Sequence, residues 1–128
     1  MQRDFSGIES RLGYFVELGV ETIWLSPIFK SPMKDFGYDI SDFKDVDPTF
    51  GTINDFKSMI ATAHDLGLKI VLDFVPNHSS DEHEWFIKSV AKEDPFTDYY
   101  TWLDPLGFDQ NGKPIPPNNW VSCTINKE

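Results

Sequence analysis

The 128-residue sequence has a single cysteine, Cys123, so no internal disulfide can form and cysteine usage says nothing about redox compartment. Basic residues are scarce: 11 Lys and Arg stand against 21 Asp and Glu, a formal net charge of −10. That balance repels nucleic-acid phosphates and anionic lipid headgroups and argues against both as partners. Long apolar runs are missing too. The longest strongly apolar stretch, Ile70–Val75, is broken by Asp73 and falls well short of a membrane span. The opening Met-Gln-Arg-Asp carries no apolar signal region, which points either to a cytoplasmic product or to a chain whose true start lies upstream. No Gly-rich phosphate loop, zinc-type ligand spacing or low-complexity stretch occurs.

What remains is globular material, 40% hydrophobic and 15% aromatic, enough for one small domain. A helix-then-strand grammar appears twice. In the first unit Ser6 and Glu9 have capping-box spacing, and Ile8, Leu12, Phe15 and Val16 recur at helical intervals. Gly19 closes that helix, and Glu21–Leu25 reads as a short strand. In the second unit Thr52 caps a helix striped by Phe56, Met59, Ile60 and Ala63, and Leu66-Gly67 ends it. Lys69–Val75 follows as a near-continuous apolar strand, the type buried on both faces of a parallel sheet. A further helix is expected over roughly Glu82–Val90, then loop-rich chain with aromatic anchors between Pro95 and Pro117. The pattern reads as α/β with a parallel sheet.

Parallel α/β folds gather function in the loops after the C-terminal ends of strands. Two such loops are visible, Ser26–Asp39 and Val75–Ser80. Asp73 sits in an apolar strand with Asn77 and His78 just beyond it; these residues suit either a binding site or a structural network that pins the loop. Gly37-Tyr38-Asp39 suits a sugar subsite, with a ring to pack on a pyranose face and a carboxylate to accept hydroxyls, or equally an ordinary turn. Asn77-His78-Ser79 is formally a glycosylation sequon, expected to be buried and unmodified, while His64 and His83 read as solvated helix-surface residues.

Four segments together resemble the α-amylase family of glycoside hydrolases, in its insect-type α-glucosidase (maltase) branch. They are Ser31–Phe43, Asp47–Thr52, Asp73–His78 and Pro116–Trp120, and the similarity runs from about Asp4 to Ser122. The resemblance implies a partial TIM (β/α)8 barrel covering about helix 1 to strand 3: residues 1–93 as partial barrel, 94–122 as the start of the inserted, loop-rich domain B, and 123–128 as an unmatched tail. It implies that Tyr38 stacks on a terminal glucose, that Asp39 accepts its hydroxyls and that His78 donates to it, with Asp73 and Asn77 holding the loop in shape. It further implies a retaining, exo-acting enzyme on maltose- or sucrose-like sugars. The nucleophile and acid/base would follow later strands, so both ends look cut and the chain by itself is expected to be inactive. Calcium is implied for the full-length family member, with Asp4 as a remnant of its loop, and the family's location is secreted or attached to the outer face of a membrane. The alternative is a non-catalytic relative, the ectodomain of an amino-acid transporter heavy chain; the intact Gly37-Tyr38-Asp39 and Asn77-His78 favour the enzyme lineage.

Overall fold

The computed structural model describes residues 4–119. Two short helices, α1 (Phe5–Glu9) and α2 (Leu12–Glu17), lead into strand β1 (Thr22–Leu25). A small antiparallel pair, β2 (Phe29–Lys30) and β3 (Asp42–Val46), precedes the long helix α3 (Ile53–Asp65) and strand β4 (Lys69–Leu72). Helix α4 (Glu84–Val90) and a 3-10 turn (Phe96–Asp98) follow, and the small hairpin β5 (Gly107–Phe108) and β6 (Pro114–Ile115) comes last.

The central feature is the β1–β4 pair, parallel and in register from Thr22↔Lys69 to Leu25↔Leu72. Backbone bonds extend it at both ends, from Lys69 N–H to the Glu21 carbonyl and from Asp73 N–H to the Leu25 carbonyl. The two strands therefore finish level, and the loops that leave their C-terminal ends start side by side.

Side chains alternate across the pair. Ile23, Leu25 and Ile70 turn toward the helices and pack on a core of Phe5, Leu12, Ile28, Val46, Met59, Ala63 and Leu68. Trp24 and Val71 occupy one cross-strand position and are half-exposed. β4 is thus not buried on both faces as its apolar run suggests: helices cover one face, and its regular pairing stops at Leu72, before Asp73.

Helix α3 forms as its caps dictate. The Thr52 hydroxyl accepts from Asp55 N–H while the Asp55 carboxylate accepts from Thr52 N–H at 2.7 Å, a full capping box. Gly67, at φ +76, terminates it in the left-handed region that favours glycine. The first helical segment departs from expectation. Asp4, not Ser6, is the N-cap, its Oδ1 accepting from Gly7 N–H at 2.8 Å. The helix also breaks at Ser10–Arg11 instead of running on to Gly19, so the stripe from Ile8 to Val16 is carried on two pieces. Glu9 then reaches α3, its Oε1 accepting from the Ser58 and Thr62 hydroxyls.

Helix α4 starts two residues later than expected, and His83 is its N-cap instead of a solvated surface residue. The ring is only 5% exposed, and Nδ1 accepts from Trp85 N–H at 3.0 Å. Trp102 anchors the loop-rich segment by donating from its indole N–H to the Ser89 hydroxyl of α4 at 2.9 Å. Trp120, the break expected after Ser122 and the 123–128 tail lie outside the described residues.

Candidate functional site

The loop after β1 folds back on itself around one carboxylate. Asp39 Oδ1 accepts from the Ser31 hydroxyl at 2.8 Å and from Asp35 N–H at 3.1 Å, and Oδ2 accepts from Lys34 N–H at 2.9 Å. Within this loop Met33 and Phe36 adopt positive φ without being glycine, and Phe36 is 90% exposed. Such backbone strain persists only where surrounding bonds over-determine it, and the Asp39 network provides those bonds. Gly37, at φ +95, comes so near the Pro27 carbonyl that a Cβ would sit 3.3 Å from its oxygen. Glycine is favoured there, and Tyr38 follows it toward the neighbouring loop.

The loop after β4 meets that tyrosine. The Tyr38 hydroxyl donates to Asp73 Oδ2 at 3.3 Å, and His78 Nε2 donates to the Tyr38 carbonyl at 3.0 Å. Tyr38, Asp73 and His78 are thus drawn into one clasp between the two strand ends. Asp73 braces a tyrosine from the other loop in place of its own loop's backbone. A carbonyl can only accept, so the neutral His78 ring spends its one N–H on Tyr38 and presents Nδ1 as an acceptor. Donation from His78 to a sugar therefore requires a protonated or rotated ring. Asn77 is exposed rather than buried, and its side chain forms no hydrogen bond to the loop among the described residues.

A second tie was not legible in the sequence. Lys34 Nζ lies 2.9 Å from Glu82 and 3.5 Å from Asp81, joining the Asp39 loop to the turn before α4. Ser31 and Lys34 lie in a segment that carries the family resemblance, but only the folded loop shows what they hold. Beside this clasp runs an open groove of about 710 Å³, lined by aromatic rings including Phe43, Trp85, Phe86 and Tyr100, with Asn77, His78 and Ser79 as its polar rim.

The electrostatics follow from these bonds. Burial by itself would raise the Asp39 carboxyl, but the Ser31 hydroxyl and the Asp35 and Lys34 N–H groups outweigh it and hold it below the usual value of 3.8. Partial burial, then the Asp73 charge, push the Tyr38 hydroxyl above its ordinary value of 10.0. A carboxyl more acidic when folded stabilises fully above its ordinary value, and that contribution is lost as pH falls below 3.8 toward the folded value. Acidification is expected to release the Lys34 and Asp35 amides together, seen as a joint change in their NMR amide shifts. Amides that respond separately would contradict a shared carboxylate.

Calcium fits poorly with the residues described. The ion takes about six to eight oxygen ligands. Asp4 commits Oδ1 to its helix cap, and the described residues contain no cluster of three or more His, Cys, Asp or Glu suited to a metal. Nor is any helix among the described residues long and apolar enough to cross a membrane.

The α-amylase catalytic domain family matches residues 2–127. Maltase 1 of Drosophila virilis is 60% identical over 119 residues, which are 93% of this chain and 19% of that protein. The human amino acid transporter heavy chain SLC3A1 is 48% identical over 119 residues, 93% of this chain and 17% of its own. A solved structure of Bacillus licheniformis trehalose-6-phosphate hydrolase superposes with a TM-score of 0.83 at 42% identity, over 94% of this chain and 21% of that one. The chain thus spans about a fifth of the length of the relatives it matches. The β1–β4 pair and its helices are part of a TIM-barrel fold, closed in those relatives but here present as an open two-stranded portion. Two parallel strands whose C-terminal loops clasp one another, together with a family match across nearly the whole length, make this chain a member of the α-amylase catalytic-domain family.

Proposed function

We propose that this chain is the glucose-holding part of a retaining, exo-acting α-glucosidase catalytic domain, acting on terminal α-linked glucose of maltose- or sucrose-like sugars. The observation that carries this reading is the clasp of Tyr38, Asp73 and His78 beside the ordered Asp39 carboxylate, at the ends of two parallel strands. Asp39 Oδ1 accepts two of the bonds from its loop and Oδ2 one, so Oδ2 is the oxygen we assign to a sugar hydroxyl. Tyr38 is half-buried, leaving part of its ring available to stack on a pyranose. The remainder of such an enzyme would carry the nucleophile, the acid/base and any calcium, and we place it outside the cell, secreted or attached to the outer membrane face.

The test is an NMR titration of the chain with maltose. An open half-site buries little of the sugar, so binding on the order of millimolar is expected. Shifts should centre on Tyr38, Asp39 and His78 and vanish in Asp39→Ala. Perturbation elsewhere, or none at saturating sugar, would refute the reading. The identity to the transporter heavy chain supports a second reading, a non-catalytic ectodomain, and it expects no sugar-specific change at these residues.

A further inference from the structure

We propose that His83 is an acid-sensitive latch: its neutral ring caps α4 and holds Trp85 against β3, and protonation releases this wall of the aromatic groove. The inference rests on geometry at the start of α4 and stands independently of the sugar reading.

The ring is buried between aromatic partners, with its centroid 4.4 Å from Trp85 and 5.5 Å from Phe43. Nδ1 accepts from Trp85 N–H, so the neutral ring carries its proton on Nε2. Adding the second proton would place an N–H against the Trp85 N–H. The cap is then lost, and two donors face each other in a site that excludes water. The backbone around it is committed to the same arrangement. His83 N–H donates to the Ser80 carbonyl at 3.1 Å, and Ser80 N–H donates to the Ile40 carbonyl at 2.8 Å.

What hangs on this cap is the groove. Trp85 meets Tyr99 edge-on at 5.7 Å, and Phe86 meets Tyr100 edge-on at 5.1 Å. The Tyr100 hydroxyl is bonded to Ser79 at 2.5 Å, one residue from His78. The Lys34–Glu82 pair, directly before His83, leads back to the Asp39 loop. Loosening the first turn of α4 therefore reaches both the groove and the clasp.

The charged groups acting on the ring come from both elements packed against it. Asp42 on β3 and Glu84 on α4 favour the imidazolium, and Lys44 on β3 opposes it. Asp81 and Glu82, in the preceding turn, are engaged by Lys34. Burial outweighs the two acids and holds the His83 ring below the ordinary value of 6.5. A base harder to protonate when folded binds fewer protons than the unfolded chain in that window. Its contribution is therefore intact above 6.5 and is lost as pH falls from there toward the folded value.

The experiment is an NMR titration of the 128-residue chain from about pH 8 to about pH 5, bracketing the ordinary imidazole range. His83 is expected to titrate below the ordinary imidazole value of 6.5. The Trp85 amide and the Phe86–Tyr100 ring contact should change with the His83 midpoint. His83→Asn supplies a capping oxygen that does not titrate, so it should keep the Trp85 amide unchanged across the range. The latch is refuted if His83 titrates at or above the ordinary imidazole value of 6.5, as it would without this packing. It is equally refuted if His83→Asn shows the same acid transition, or if the groove contacts ignore the His83 midpoint.

Discussion

The purified chain is expected to release no p-nitrophenol from p-nitrophenyl α-glucoside above a buffer blank. Glycosidases need two carboxyl groups, one held protonated as an acid and, in retaining enzymes, a nucleophile about 5 Å from it. Among the described residues no carboxyl has its pKa displaced upward to serve as that acid. Every carboxyl among them whose pKa is displaced is displaced downward: Asp39, Asp45, Asp47, Asp55 and Glu84. Donors cause this in each case, from the Ser31 hydroxyl on Asp39 to the Lys88 ammonium on Glu84. A carboxyl so held donates its proton poorly near neutral pH, the opposite of what an acid catalyst requires. Asp73 is spent on the Tyr38 hydroxyl. Against a competent family enzyme the deficit should be at least about 10⁶-fold, the lower end of enzymatic rate enhancement. Turnover above the blank would overturn the assignment of Asp39 and Asp73 to holding the sugar and bracing its loop.

The second large effect belongs to the core. Phe5→Ala is expected to destabilise the chain by about 3–5 kcal/mol, the range for removing a fully buried phenylalanine. Phe5 is 1% exposed, and its ring packs at 5.3 Å from Phe56 and 6.2 Å from Phe50. Its N–H donates to the Phe50 carbonyl at 2.9 Å, so the site joins α1, α3 and the turn before α3 and cannot collapse easily. At a given urea concentration the variant should retain less helical circular dichroism than the parent. Phe36→Ala is the control: that side chain is 90% exposed, and a change within about 0.5 kcal/mol is expected. Equal effects at the two positions would show that Phe5 does not centre the core.

Local structure was largely legible because its causes are local. Thr52 and Asp55 carry their cap in their spacing, and Gly19 and Gly67 mark helix ends by their tolerance of positive φ. The parallel strands followed from apolar runs and the alternation of elements. The failures have a common origin in contacts distant along the chain. β2 and β3 went unread because Phe29 pairs with Val46 across a loop with no periodic pattern. His83 has the spacing of a solvated helix surface, while its burial comes from Phe43 on another element. Asn77 reads as buried from its place at a strand end facing a site, but it lies on the rim of an open groove and is exposed.

The family resemblance, the α/β class and the candidate residues Tyr38, Asp39, Asp73 and His78 were determined by the sequence alone, since residue type and order carry them. The tertiary structure decided what those residues touch. Asp39 is held by its own loop, Tyr38 reaches Asp73 across 35 positions, and His78 gives its proton to the Tyr38 carbonyl across 40. Hydrogen bonds depend on distance and angle in space, and those are settled only when β1 and β4 pair in parallel and bring their two loops to the same edge.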